Sequence, residues 1–414
     1  MLLHLSVFAA LGAVMLRGEV LGDLPLYRHW ALGALHGGWW PAIDMPWVYP
    51  VGALVPIVLP AVLGGAAYQF VWLLLLTLTN GIALWVLTDG GRRRSAYPAA
   101  WWWLAITLVL SPVAMLRLEG FTAPLVIMAL AVMARRPRVA AALLSIATWV
   151  KVWPAAVLLA AVVASPRRRT LAVTAAVTSA LVIAAAMLFG GFWHLDSFLT
   201  MQGQRNLQLE SPLATPLLWM AIAGVPGARV YQNWALQTRE VTGPGGAWLA
   251  EFSGALMLLT VLAVAALLAW VRWRSSVAGV RHDSHLLVLG SLGICAAFIV
   301  TNKVGSPQYM LWLVPIVVAG VASGGWRLWR TPLILLSAVA VATTLVFPLF
   351  YLQLIDLNPW VAGVLGARNL LLVVLLGWAV RELWRTGISA SALASAASPA
   401  VPAAERPRPR ARPR

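Results

Sequence analysis

Short clusters of arginine separate long apolar segments along most of the chain, and this alternation constrains the fold more than any other feature. Five such clusters occur, at Arg92–Arg94, Arg135–Arg138, Arg167–Arg169, Arg272–Arg274 and Arg327–Arg330. Hydrophobic residues make up 61% of the chain and charged residues only 10%, whereas a soluble domain averages about 25% charged residues. The sequence therefore predicts an all-α polytopic membrane protein.

The arginine clusters also predict the topology, because cytoplasmic loops of membrane proteins carry an excess of Lys and Arg. Placing all the clusters on one side gives about twelve spans of about 20 residues or fewer. Two of them are short helices between Arg138 and Pro166 that turn at Lys151. The others are expected at 2–17, 66–88, 98–114, 121–134, 171–190, 248–271, 286–301, 309–325, 332–350 and 367–384.

Residues 51–63 are apolar, but the segment is short and contains Pro56 and Pro60. At 1.5 Å per residue, a helix of this length covers about 20 Å, less than the hydrocarbon thickness of about 30 Å. A span here would also place Arg92–Arg94 outside the cell. We therefore interpret 51–63 as a helix at the membrane surface, within an outer loop that extends over residues 18–65.

Residues 1–385 are predicted to form one integral membrane domain, with a second long outer loop at 191–247. The segment 386–414 is rich in Ala, Ser and Pro and ends in RPRPRARPR, a composition typical of a disordered tail. The topology places this tail in the cytoplasm. Its basic end is expected either to contact anionic membrane lipids or only to anchor the topology.

Several classes of protein are excluded or disfavoured. The net charge of +17 does not indicate nucleic-acid binding, because the positive residues are distributed as topology signals. Cys295 is the single cysteine, so no disulfide framework exists. No P-loop, HExxH, GxSxG or Rossmann motif occurs. No cofactor is predicted, although a divalent cation held by carboxylates stays open as an alternative.

The loop from Glu19 to Pro50 collects ionisable and aromatic side chains beside the membrane, which is a signal of a functional site. Apolar residues at helical spacing between Leu24 and Leu35 predict a short interfacial helix that ends at Gly37. Asp23 opens this helix, either as its N-cap or as a general base. Asp44 follows in a Trp- and Pro-rich stretch, where a loop Asx-turn is the simpler interpretation.

The polar residues outside the arginine clusters all map to the outer face in this topology. They are Asp23, Asp44, Glu119, Lys151, Arg205, Glu210, Lys303, Gln308 and Arg368. Glu119 could form a local pair with Arg117. Lys151 could extend its ammonium group to the membrane surface or bind the phosphate of a lipid-linked substrate.

Cations and carboxylates on one face suit transfer from an anionic polyprenyl-phosphate donor, because the cations would stabilise the charge that develops on the leaving phosphate. A carboxylate would activate the acceptor, and Trp side chains would stack on sugar rings. A transporter or flippase of lipid-linked sugars is the alternative function. That class needs charged residues at the membrane midplane, and the predicted topology places them at one face instead.

In chain order, the motifs GDLPLYRHWALGALHGGWWPAIDMPWVYP, the Lys151–Pro154 hairpin, QRNLQLESPLATP, NKVGSPQYMLW and ARN resemble one family. The chain is similar to actinobacterial polyprenol-phosphate-mannose-dependent α-mannosyltransferases, within the GT-C superfamily of integral membrane glycosyltransferases. It departs from them in having Tyr49-Pro50-Val51 where the family has Tyr-Pro-Pro. In addition, Asp23 is a single Asp and not part of an Asp-x-Asp pair.

The resemblance implies a GT-C-like fold with two juxtamembrane helices in the first outer loop, at 22–36 and 51–63. It also implies an enzyme that moves a hexose, most simply mannose, from a polyprenyl-phosphate carrier to a lipid- or glycan-linked acceptor on the extracytoplasmic face of the cell membrane. Asp23 would be the catalytic base of a single inverting displacement. The remaining predicted substrate-binding residues are Lys151, Arg205, Lys303, Arg368, Glu119, Asp44, Gln308 and Tyr309.

Overall fold

The computed structural model describes residues 22–203, 205–234, 238–279 and 283–397, together with residues 5, 6 and 9. The predicted first span at 2–17 therefore lies almost entirely outside the described residues. The described part is helical apart from one short β-hairpin. In chain order its elements are α1 Leu24–His36, α2 Leu54–Val58, α3 Tyr68–Leu87, α4 Tyr97–Val109, α5 Ser111–Met115, α6 Glu119–Val132, α7 Pro137–Val150, α8 Pro154–Ala164, α9 Arg168–Leu188, α10 Ser197–Gly203, α11 Thr215–Ile222, β1 Arg229–Asn233, β2 Thr238–Thr242, α12 Gly246–Val277, α13 Asp283–Thr301, α14 Met310–Gly324, α15 Arg330–Thr344, α16 Tyr351–Ile355 and α17 Pro359–Ala397.

The prediction of an all-α polytopic membrane fold is confirmed. Seven helices of the described chain are long and apolar enough to cross a membrane: Tyr68–Leu87, Arg168–Leu188, Gly246–Val277, Asp283–Thr301, Pro307–Gly324, Arg330–Leu349 and Pro359–Ala390. The shorter helices α6, α7 and α8 match the other predicted segments, and α7 and α8 form the expected hairpin around Lys151. The predicted span 98–114 is divided into α4 and α5, which begins with Ser111-Pro112.

The two ends of the helix bundle differ in chemistry. At one end, which we name the arginine end, arginine side chains bind the backbone close to other arginine clusters. Arg93 donates to the Ala322 carbonyl at 2.6 Å, and Arg167 donates to the Ala134 carbonyl at 3.0 Å. The opposite end, which we name the loop end, carries the described residues of the first outer loop and of the segment 191–247. This separation is the one that the positions of the arginine clusters predict.

Two short helices form the first part of the loop end, as predicted. Helix α1 begins after Asp23 with Pro25 in its first turn, a position where proline costs no hydrogen bond. Helix α2 is flanked by 3₁₀ turns at Val51–Ala53 and Leu59–Leu63, so the 51–63 segment is a broken, short helix. Tyr27 of α1 is fully buried and packs on Trp72 of α3, with ring centroids 5.4 Å apart. This contact anchors the surface helix to the membrane-spanning bundle.

The segment 191–247 contains structure that the sequence analysis did not predict. Strands β1 and β2 pair antiparallel, and residues 207–209 add to their edge through Leu209 N–H to the Arg239 carbonyl and Val241 N–H to the Leu207 carbonyl. The buried Glu240 side chain accepts hydrogen bonds from Tyr231, Asn233 and Thr238. A carboxylate with so many donors is a rigid anchor for the hairpin.

The tail begins later than predicted. Helix α17 continues past Arg385, the residue where the disordered segment was expected to start, as far as Ala397. The stretch SASALASAA consists largely of good helix formers, and no proline occurs between Pro359 and Pro399. The end of this helix predicted from composition is therefore too early. Residues 398–414 lie outside the described part of the chain.

Candidate active site

A cavity of about 640 Å³ opens at the loop end, and we name it the polar cavity. Five of the sequence-predicted substrate-binding residues line it: Lys151, Arg205, Lys303, Gln308 and Tyr309. These residues come from three separate parts of the chain, so the fold assembles them from segments that lie about 50 to 150 residues apart. Three of the four predicted cations, Lys151, Arg205 and Lys303, thus share one concave surface.

Lys151 reaches the polar cavity from the break between α7 and α8. Its extended backbone ends α7, and the proline that begins α8 prevents the two helices from merging. The ammonium group lies 3.1 Å from Oε1 of Glu119, which is completely buried in α6, and 4.5 Å from the centre of the Tyr49 ring. Lys151 therefore does not extend to the membrane surface but is held by a buried carboxylate.

Glu119 also does not form the local pair with Arg117 that the sequence suggested. Besides Lys151, its Oε1 accepts from the Trp312 indole at 3.5 Å, a long contact, and its Oε2 has no hydrogen-bond partner among the described residues. A buried carboxylate is costly unless it is paired. Glu119 is therefore placed behind the cavity wall, where it orients Lys151, and it does not line the cavity itself.

Lys303 is positioned by the loop between α13 and α14, and Gln208 organises that loop. The Gln208 backbone N–H donates to the Lys303 carbonyl at 2.9 Å, and the Gln208 side-chain oxygen accepts from Gly305 N–H and the Ser306 hydroxyl at 3.1 Å each. The Lys303 ammonium donates to the Gly203 carbonyl at 2.8 Å. Partial burial lowers the pKa of Lys303, although nearby Glu240 opposes this and Arg205 adds to it.

We expect Gly305→Ala to disrupt this loop, because an added Cβ would lie 2.6 Å from the Glu210 carbonyl oxygen and would overlap the Ser211 backbone. Backbone cannot move aside as a side chain can, so we expect a loss of about 1–3 kcal/mol of stability and displacement of Lys303. Thermal unfolding in detergent would measure the first effect, and the sugar transfer that the motif resemblance implies would measure the second. Gly363→Ala, where no atom lies within 4 Å, is the matched control. Wild-type stability and activity in Gly305→Ala would contradict the assigned loop geometry.

Aromatic rings form one wall of the polar cavity. Tyr309 and Trp312 stack with ring centroids 3.8 Å apart, and Trp153 lies nearly parallel to Trp312 at 6.1 Å. All three line the cavity. Flat aromatic faces beside cationic side chains fit a ligand that carries both an apolar ring face and an anionic group.

Asp23 lies beside the polar cavity and is not one of the residues that line it. It occupies the N-cap position of α1, but its side chain makes no capping hydrogen bond. Its carboxylate instead pairs with Arg117 at 2.8 Å, and 27% of the side chain stays exposed. Tyr27 lies near Asp23, and its hydroxyl is 3.3 Å from that of Tyr49, whose ring lines the cavity. Asp23 therefore neighbours the cavity through these two tyrosines.

Arg117 was assigned only a local role from the sequence, and the structure gives it a longer-range one. Its guanidinium lies between the Asp23 carboxylate and the Phe347 ring, 5.7 Å from the ring centre. The neighbouring Glu119 was the simpler partner by sequence proximity. Only the fold, which places the residues before α1 against the turn before α6, brings Asp23 to Arg117.

Arg368 and Asp44 are placed away from the polar cavity. Arg368 in α17 is buried and donates to the Glu210 carbonyl and to Asn369 at 2.7 Å, so its hydrogen-bonding groups bind the protein itself. Burial raises the pKa of the Glu210 carboxyl group, which Arg368 partly opposes. Asp44 accepts from Trp40 N–H at 2.6 Å, four residues earlier in the chain, whereas an Asx-turn would use the N–H two residues later.

A second cavity of about 790 Å³, which we name the apolar groove, lies on the other side of the same backbone segments. Val51 and Val150 line the apolar groove, whereas their neighbours Pro50 and Lys151 line the polar cavity. Its other walls come from α2, α3, α6, α7, α9 and the first loop, and apart from Asp44 and Thr79 their side chains are apolar. Lys151 therefore stands at the boundary between a polar and an apolar space.

Two features of the polar cavity were missed from the sequence. Glu251 of α12 and Asn302 both line it, and neither was a candidate. Glu251 could have been found, because an isolated carboxylate in an apolar span is itself a signal of a functional site. For a metal ion, no group of three His, Cys, Asp or Glu side chains comes together within the described ranges.

Comparison with known proteins gives one match. The sequence model of a family described as glycosyltransferase family 87 matches residues 47–292, which is more than half of the chain. Searches of curated proteins and of solved structures give no significant match. The matched region contains Glu119, Lys151, Arg205 and Glu251, whereas Asp23 precedes it and Lys303 follows it.

Proposed function

Because the chain belongs to glycosyltransferase family 87, we propose that it is a membrane glycosyltransferase that moves mannose from a polyprenyl-phosphate carrier to a lipid- or glycan-linked acceptor. The family and the apolar helices establish a membrane-bound glycosyltransferase. The sugar, the lipid donor and the inverting mechanism are our proposals. They rest on the chemistry of the two cavities and on the resemblance of the motifs.

The position of Lys151 is the observation that supports a lipid-linked donor. A polyprenyl-phosphate sugar has an apolar chain, an anionic phosphate and a polar ring in that order. The apolar groove, the Lys151 ammonium and the polar cavity have the same order, because Val150 and Lys151 face opposite sides of one wall. A soluble nucleotide-sugar donor would leave the apolar groove without a role.

Charge in the polar cavity suits the phosphate. Lys151 is already paired with Glu119, whereas Arg205 and Lys303 make no ion pair with any described residue. Arg205 and Lys303 would therefore supply the net positive charge, and Lys151 would donate a directed hydrogen bond. Cations placed where the leaving phosphate gains charge stabilise the transition state more than the ground state.

The proposed reaction is a single displacement. The acceptor hydroxyl oxygen attacks the anomeric carbon and its proton passes to the Asp23 carboxylate. The bond between the anomeric carbon and the phosphate oxygen breaks, and polyprenyl phosphate leaves with the electron pair. One attack on the face opposite the leaving group inverts the anomeric configuration. Asp23 is partly exposed beside the polar cavity, so an acceptor hydroxyl can reach it from outside.

The positive-inside rule supports an extracytoplasmic location for this site. Five arginine clusters lie at the arginine end, and both cavities lie at or near the loop end. The C-terminal tail follows α17 and would then be cytoplasmic. Membrane lipids would surround the bundle and admit the donor chain to the apolar groove sideways.

The direct test uses purified protein in vesicles with radiolabelled polyprenyl-phosphate-mannose, against GDP-mannose, and a panel of mannosylated lipid and glycan acceptors. We expect labelled product from the lipid donor only, and none in protein-free vesicles. Transfer from GDP-mannose alone would overturn the lipid-linked donor. Movement of the lipid donor across the bilayer without any transfer would favour a flippase instead.

A further inference from the structure

A carboxylate from a membrane-spanning helix lines the polar cavity. Glu251 lies near the start of α12, and it is the only Asp, Glu, Lys or Arg between Gly246 and Val271. Among the described residues that line this cavity, it is also the only carboxylate. No ion pair joins it to any residue that the structure describes.

The residues of α12 around Glu251 face two different environments, the outside of the bundle and the polar cavity. Trp248 and Phe252 are exposed on the outside of α12, where they stack on each other at 4.8 Å. Ser253 and Met257 line the polar cavity. A carboxylate facing lipid would be costly, and ionisable groups in spans normally face a water-filled cavity. Glu251 is therefore best explained as a cavity residue.

Gln308 provides a second, independent observation. Its side chain is 6% exposed and lines the same cavity, and its Oε1 has no hydrogen-bond partner in the described part of the protein. A buried amide oxygen without a donor carries a substantial desolvation penalty. A ligand that donates a hydrogen bond at this position would remove that penalty.

The chemistry of these two groups selects the ligand. A carboxylate and an amide oxygen both accept hydrogen bonds, so they require a donor and repel a phosphate. The nearby Arg205 and Lys303 disfavour a cationic ligand. A neutral hydroxyl group remains, and the stacked Tyr309 and Trp312 rings in the same cavity suit the apolar face of a sugar.

We propose that Glu251 and Gln308 form a sugar-binding subsite, in which both accept hydrogen bonds from ring hydroxyl groups. This inference rests on the proposed transferase function, because it assigns the sugar end of that substrate pair. The hydroxyl groups can belong to the donor sugar or to the acceptor sugar. Kinetics distinguish these two sources.

The kinetic test compares Glu251→Gln with Glu382→Gln, a partly exposed carboxylate of α17 that pairs with Arg385 at the arginine end. Loss of a charge-assisted hydrogen bond to a hydroxyl should raise one KM by about tenfold or more. A higher KM for the acceptor places the acceptor sugar at Glu251, and a higher KM for the donor places the donor sugar there. Equal KM values in wild type and both variants would overturn the subsite.

A binding test works without any transfer, so it separates the failure of this inference from the failure of the proposed function. Saturation-transfer difference NMR would follow the methyl glycosides of mannose, glucose and galactose with the purified full-length protein. We expect binding of at least one glycoside to wild type and to Glu382→Gln, and loss of that binding in Glu251→Gln and Gln308→Ala. No binding to wild type, or equal binding by all variants, would contradict the inference.

Discussion

Replacement of Asp23 by Asn is expected to lower kcat for sugar transfer by about 10²–10⁴-fold, the usual contribution of a general base. The amide keeps the size of the side chain and cannot take the acceptor proton. Donor binding should change little, because Asp23 does not line the polar cavity. The measurement is the initial rate of transfer in vesicles at saturating donor and acceptor.

The salt bridge to Arg117 complicates this substitution and also provides its control. Asp23→Asn leaves the largely buried guanidinium without its anionic partner, which should cost about 1–3 kcal/mol of stability. Arg117→Gln breaks the same salt bridge and keeps the carboxylate. The double variant Asp23→Asn/Arg117→Gln has neither charge.

A base and a purely structural carboxylate give opposite patterns in this series. If Asp23 is the base, Asp23→Asn and the double variant lose transfer, whereas Arg117→Gln keeps most of it. If Asp23 serves only to hold Arg117, all three variants lose similar activity and the double variant recovers part of the stability. The second pattern would refute the catalytic assignment of Asp23.

The fold could be predicted well because membrane insertion depends on local sequence. An apolar segment indicates a span and an arginine cluster indicates a cytoplasmic loop, and neither signal depends much on the rest of the chain. The 51–63 segment is an example, since it is apolar but both its short length and the position of Arg92–Arg94 argue against a span. The same locality explains the error at Arg385, where helix propensity overrides a composition typical of disorder.

The site could be predicted only in part, because pairing between distant residues has no local signal. The sequence identified Glu119 and Lys151 as separate candidates. Nothing in it indicates that the fold places the Glu119 carboxylate 3.1 Å from the Lys151 ammonium group. Sequence proximity suggested an ion pair between Arg117 and Glu119, whereas in the structure Arg117 pairs with Asp23. Gln208 had no signal either, since its role depends on a loop that follows almost a hundred residues later.

Arg368 and Glu251 show two ways in which motif resemblance fails to identify a site: one residue was selected that does not line the cavity, and one that does was missed. Motif resemblance selected Arg368 as a phosphate ligand, and its hydrogen bonds go to Glu210 and Asn369 instead. No motif selected Glu251, although it lines the polar cavity. Motif matching finds residues that recur together, whereas a cavity is defined by which side chains remain free to contact a ligand.

Lys151→Met is expected to destabilise the protein by about 3–5 kcal/mol, because it leaves the completely buried Glu119 carboxylate without a counter-charge. Among the described residues, the hydrogen bond that remains to this carboxylate is the long one from the Trp312 indole. Unfolding in mixed micelles of increasing SDS content would measure the loss. Glu382→Gln/Arg385→Gln removes an exposed ion pair as the control and should cost less than about 1 kcal/mol.

The double variant Lys151→Met/Glu119→Gln separates stability from function. With no buried charge left, most of the lost stability should return, because replacing a whole buried pair is often nearly neutral. Transfer should stay at least tenfold below wild type, since the donor phosphate still lacks the hydrogen bond from Lys151. Recovery of both stability and transfer would mean that Lys151 serves only Glu119. The phosphate site would then depend on Arg205 and Lys303 alone.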